Sequence, residues 1–149
     1  ESISPHSVQA EQGMVNGLIA CLAGDTASGI QEIREAALER PELLGDAANY
    51  LAEAGIARMK SDAFTQAESL FRAATRLEPD NLLYRMYLGE ALLELERYQE
   101  AIDELLPILM AAPESPRSAN LLDEAFQRKQ DSEGRRRTWQ TIVNAHPEA

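Results

Sequence analysis

Apolar and polar positions along this chain recur at the three- and four-residue spacing of amphipathic helices. Phe64, Ala67, Phe71 and Ala74 keep one face apolar. Glu90, Glu94, Glu96, Glu100, Asp103 and Glu104 also sit at helical spacing and read as solvated faces. Taken end to end, the pattern predicts eight helices over residues 6–23, 27–40, 45–60, 64–77, 81–95, 98–111, 116–130 and 134–145. Pro5 in "SPHS" can occupy an early helical position, where its missing N–H costs nothing. Pro107 falls inside the sixth helix and removes one backbone hydrogen bond, so a kink or break near residue 106 is expected. "PESP" at 113–116 reads as a turn.

One stretch, "GEALLELERYQEAI" at 89–102, fits the helical pattern but carries a glycine where alanine would be about 1 kcal/mol better. A longer repeat explains it. Pro79, Pro113 and Pro147 are spaced by 34 residues, and so are Gly55 and Gly89, Ala57 and Ala91, Phe64 and Tyr98, Ala67 and Ala101, and Phe71 and Leu105. A fixed period of this length is the mark of a stacked helical-repeat architecture.

With these residues in register, the chain resembles the tetratricopeptide repeat family, whose unit is a helix-turn-helix of about 34 residues. Residues 48–81 carry the family's pattern in Gly55, Phe64, Ala67, Phe71, Ala74 and Pro79. Residues 82–115 carry it in Gly89, Tyr98, Ala101, Leu105 and Pro113, with Ile108 where the family has a small residue. The resemblance implies an all-α fold: a right-handed superhelical array of antiparallel helix pairs, read as one domain over 1–149. It also implies that Gly89 and Ala101 mark the closest approach of two helix backbones, so that packing offsets the propensity cost.

The flanks follow the pattern less closely. Residues 10–41 form a degenerate first repeat or a plain helical hairpin, with Gly17, Gly29, Ile33, Ala36 and Pro41 in the matching slots. Pro41 to Pro79 is 38 residues, which predicts a longer connection near "ELLGD". Residues 116–149 form a degenerate terminal repeat that keeps Trp139, Ile142 and Pro147 but puts Asp123 and Arg135 at the two close-contact slots. A side-chain ion pair and slightly splayed helices are expected there. Such an exposed pair contributes little stability.

Composition narrows the possible functions. The formal net charge is −11, and a chain of that sign is repelled by nucleic acid and by anionic membrane surfaces. Arg135–Arg137 is the single basic run, too short to change this. No stretch reads as a membrane-inserting helix. One cysteine, Cys21, excludes an intrachain disulfide and Cys-rich zinc sites. It reads as a small buried hydrophobe rather than a nucleophile. His6 and His146 lie near opposite termini without metal-ligand spacing, and "GDTASG" at 24–29 lacks the lysine of a phosphate loop. No cofactor, metal or catalytic residue is predicted, and the chain reads as noncatalytic.

The family resemblance instead implies a protein or peptide partner held in a concave groove lined by the first helices of the repeats. Carried over residue by residue, the groove would comprise Asn49, Ala52, Ile56, Met59 and Lys60, then Leu83, Met86, Glu90, Leu93 and Glu94, and Asn120 and Arg128 of the last unit. The Lys/Asn/Arg clamp with which one family variant grips the C-terminal carboxylate of chaperones is missing. The apolar anchors Ile56, Met59, Met86 and Leu93 suit an amphipathic partner. The function expected is that of a protein–protein interaction scaffold, as a soluble and by default cytoplasmic domain. The alternative is an accessory or oligomerisation segment of a larger, bacterial and membrane-associated protein, with homo-oligomers possible.

Overall fold

A computed structural model describes residues 5–148. It contains eight helices: α1 (Pro5–Leu22), α2 (Thr26–Glu39), α3 (Glu42–Lys60), α4 (Phe64–Leu77), α5 (Leu82–Glu94), α6 (Tyr98–Ala111), α7 (Pro116–Lys129) and α8 (Ser132–Ala145). Among the described residues there is no strand. The bounds agree with the sequence periodicity to within three residues everywhere, and the fold is all-α.

The turns repeat as regularly as the helices. Within each successive pair the chain reverses through one residue of positive φ: Gly24 at 97°, Asp62 at 58°, Glu96 at 62° and Gln130 at 61°. Between pairs it reverses at proline instead, at Pro41, Pro79 and Pro113, and Pro147 follows the last pair. Pro41, Pro79, Pro113 and Pro147 each sit two residues beyond a helix end, where a residue without an N–H stops the helix from continuing. Side chains seal several starts: Asp25 Oδ1 accepts from the N–H of Ser28 at 3.4 Å, Asn81 Oδ1 from Leu83 and Tyr84 at 3.1 and 3.3 Å, and Asp131 Oδ1 from Gly134 at 2.9 Å.

Two expectations about elements are corrected. The extra residues near "ELLGD" lie inside α3, which begins at Glu42, and the connection from α2 is only Arg40 and Pro41. Leu43 faces the core, so extending the helix buries a side chain that a loop would expose. At Pro107, α6 continues without a break. Pro107 and Asp103 are both exposed, so the carbonyl left without its helical donor is open to water.

The chain divides into two compact units, Glu1–Tyr84 and Arg85–Ala149. In the first, α1 packs chiefly on α2 and α3 on α4, around Ile33, Leu51, Leu70 and Phe71. In the second, Leu92, Leu105, Leu109, Leu122 and Ile142 form the interior.

One contact recurs between helices sixteen residues apart in sequence. A Cβ on Gly17 would lie 2.6 Å from Ile33 Cγ1, one on Gly55 2.5 Å from Phe71 Cε1, and one on Gly89 2.9 Å from Leu105 Cγ. At the fourth position Asp123 stands against Trp139, whose indole Nε1 donates to Asp123 Oδ1 at 2.7 Å. Gly89 is therefore small to admit Leu105 rather than Ala101, which corrects the partner inferred from sequence. Only in the first pair do glycines meet backbone to backbone: a Cβ on Gly17 would be 2.6 Å from the carbonyl oxygen of Gly29.

Candidate interaction surfaces

The sequence-derived groove residues divide by burial. In the first unit, α3 exposes Asn49 and Lys60, leaves Ile56 and Met59 half-buried, and buries Ala52; Leu83, at the start of α5, is exposed. In the second unit Met86 and Leu93 are buried, Glu90 is half-buried, and Glu94, Asn120 and Arg128 are exposed. Leu93 is only 1% exposed, so it supports the surface from beneath.

The charged members are partly neutralised within the chain. Arg117 Nη2 of α7 reaches Glu90 Oε2 of α5 at 2.5 Å, and Arg128 Nη2 meets Glu124 Oε1 at 2.7 Å along α7. At Glu90 and Arg128 a ligand of the second unit would meet ion pairs rather than a bare carboxylate or guanidinium group.

The predicted Asp123–Arg135 pair is present, with Arg135 Nε 2.8 Å from Asp123 Oδ1. The Arg135 guanidinium, and secondarily the Trp139 N–H, hold the Asp123 carboxyl below its ordinary range against the opposing effect of burial. The pair sits at an open cleft of about 460 Å³ lined by Asp123, Phe126, Gln127, Gln130, Asp131 and Arg135.

The reactive groups considered from sequence have structural surroundings. Cys21 is buried, and burial, followed by Asp25 and Glu32, pushes its thiol up to about 11. At neutral pH it is a protonated, enclosed sulfur with negligible nucleophilicity. His146 is engaged with the Met110 carbonyl oxygen, Nε2 to O 2.5 Å, near the C-terminal end of α6. A second open cleft, about 490 Å³ between α1 and α2, brings His6 near Glu32, Glu35 and Glu39. Among the described residues no three His, Cys, Asp or Glu side chains are arranged to hold a metal ion. No described helix is long and apolar enough to cross a membrane.

One surface escaped the sequence reading. Val8, Val15, Ile19 and Leu22 form an exposed apolar stripe on α1. Their spacing of seven, four and three residues was there to be read, but of the four only Leu22 falls in a slot that the repeat register assigns to the groove.

Antiparallel helix pairs with a repeating turn, a repeating proline and a repeating inter-helix contact define a helical-repeat interaction fold. Residues 58–125 match the tetratricopeptide repeat profile. Solved structures of MamA share the fold. A MamA point mutant aligns over 91% of this chain and 96% of its own at 18% identity, with a TM-score of 0.64. MamA from Desulfovibrio magneticus RS-1 aligns over 99% of this chain and 80% of its own at 21% identity, with a TM-score of 0.53. Comparison with curated proteins gives no match.

Proposed function

We propose that the chain is a noncatalytic scaffold that binds a peptide or amphipathic helix of a partner protein through exposed helix faces within its units, chiefly that of α3. The observation carrying this reading is the α3 surface, where Ile56 and Met59, one turn apart, remain half-exposed between the polar side chains Asn49 and Lys60. Apolar anchors framed by polar groups are how grooves of helical arrays take up an amphipathic segment, and methionine adapts its shape to such a ligand. In the second unit the corresponding contacts are Glu90, Glu94, Asn120 and Arg128, with Met86 and Leu93 as their support. The match of residues 58–125 to the tetratricopeptide repeat profile favours protein partners over small molecules.

Two half-buried anchors yield less than their full transfer energy, itself about 1.5–3 kcal/mol each. Association costs of about 4–15 kcal/mol then place binding in the micromolar range or weaker. The test is affinity capture from native lysate with the natural chain, Met59→Asp and the distant control Val143→Asp, all checked for helicity by circular dichroism. A partner held by the natural chain and the control but lost by Met59→Asp supports the reading. Equal capture by all three overturns it.

A further inference from the structure

The helix pairs built on the 34-residue period differ in how their second helix begins. Helices α4, α6 and α8 start at Phe64, Tyr98 and Ser132, each 34 residues after the last. Phe64 and Tyr98 are half-buried, so two of the pairs tuck an aromatic ring of their own against the protein at this position. Ser132 has no ring to offer and is exposed, and here the surface opens into the cleft of about 460 Å³ between α7 and α8. Phe126, 4% exposed, gives that cleft an apolar wall. Arg135 lines it too, where the other two pairs have Ala67 and Ala101. The same place thus lacks a ring and gains a guanidinium.

The charges around the cleft favour an anion. Asp123 Oδ1 accepts from both Arg135 Nε and the Trp139 indole. Asp131 caps the Gly134 N–H through Oδ1 and has Lys129 Nζ 3.7 Å from Oδ2. Both carboxylates of the lining are therefore compensated within the chain. Arg135 keeps Nη1 and Nη2 without a partner among the described residues, an end-on pair of donors spaced for one carboxylate. Residues 116–149 hold 6 of the 14 basic residues and only 5 of the 25 acidic ones, so this hairpin lacks the negative excess that would repel such a ligand elsewhere.

We propose that the α7–α8 cleft binds an aromatic side chain flanked by a carboxylate, presented by a partner polypeptide. The ring packs on Phe126, at the position that Phe64 and Tyr98 fill from within the chain, and lies beside the Arg135 guanidinium. The carboxylate pairs with Nη1 and Nη2 of Arg135. One ring and one carboxylate make a small ligand, so an isolated peptide binds with a dissociation constant on the order of 1 mM. The site is built from α7 and α8 alone and is distinct from the α3 face proposed above, so either can fail without the other.

Trp139 is the sole tryptophan and donates to a carboxylate of the cleft wall, so it reports occupancy without a label. The full chain is titrated with acetyl-Glu-Phe-Glu-amide up to about 20 mM, well past the expected midpoint. Trp139 emission and the indole N–H resonance are both followed, and a saturable change is expected. Acetyl-Glu-Leu-Glu-amide, without the ring, and acetyl-Gln-Phe-Gln-amide, without the charge, should each bind at least about fivefold more weakly. Ser132→Phe supplies the ring of the other pairs and leaves the Asp123–Arg135 pair in place, and it should abolish the response. Arg135→Gln should weaken binding about tenfold, with the helicity of both variants checked by circular dichroism. No saturable change in the natural chain overturns the proposal. So does binding that Ser132→Phe leaves unchanged, or that the two control peptides match.

Discussion

At the scale of residues, the molecule is governed by one contact made four times. Gly17 meets Ile33, Gly55 meets Phe71, Gly89 meets Leu105, and Asp123 meets Trp139. The first three are solved by removing a side chain so that a large one can lie across the facing helix. The last is solved by a hydrogen bond, from the Trp139 indole to the Asp123 carboxylate. Helix propensity says Gly55→Ala should stabilise by about 1 kcal/mol, whereas the Cβ would sit 2.5 Å from the Phe71 ring. The Phe71 ring is 1% exposed and would have to shift within the interior, so packing prevails. The substitution is expected to destabilise by about 1–3 kcal/mol in urea unfolding. A stabilised variant would show that the ring moves aside freely.

Asp123 gives a second test at this scale. Its folded-state pKa is depressed, first by Arg135. Its stabilising contribution is therefore complete above the ordinary carboxylate value near ~4 and is lost as pH falls through the depressed one. Trp139 is the sole tryptophan, so its fluorescence reports this site alone. Emission should be constant from neutrality down to about pH 4 and change below, and Asp123→Asn should abolish that acid step. A midpoint above the ordinary carboxylate range would contradict the pairing.

At the scale of elements, the sequence disclosed nearly everything that depends on local chemistry. Proline spacing located the ends of α2, α4, α6 and α8, and the 34-residue period located Gly55 and Gly89, though it named Ala101 rather than Leu105 as the side chain facing Gly89. It missed where burial outweighed local signals. "ELLGD" looks like a connection because it contains a glycine and an aspartate, yet Leu43 draws it into α3. Pro107 looks like a helix breaker, yet the solvent-exposed side of α6 tolerates it. The tolerance still has a cost, since one backbone hydrogen bond is missing. Pro107→Ala is expected to raise thermal stability by about 1–3 kcal/mol. An unchanged melting temperature would mean that water fully replaces the missing bond.

At the scale of the whole molecule, the candidate site was less legible than the fold. A stripe of Met and Leu at helical spacing looks the same in sequence whether it faces a ligand or the interior. Only the placement of neighbouring helices separates Met59, half-exposed, from Met86 and Leu93, which are covered. Charge was misread for a related reason. Glu90 and Arg128 appear as available charges along the chain, but Arg117 and Glu124 have already claimed them. A repeat array specifies a scaffold through its packing, while its partner depends on the few side chains the packing leaves over.

Cys21 offers a use unconnected with recognition. Its sulfur lies where a Cβ on Gly29 would come within 2.5 Å, enclosed by the α1–α2 hairpin. With a thiol pushed up to about 11 and only 2% exposed, at the floor of a cleft that Arg58 of α3 and Ser69 and Leu70 of α4 also line, it reacts slowly until the first unit opens around it. The speed at which a thiol probe finds this one sulfur is thus a clock for local opening within the first unit, and it runs without any label being introduced.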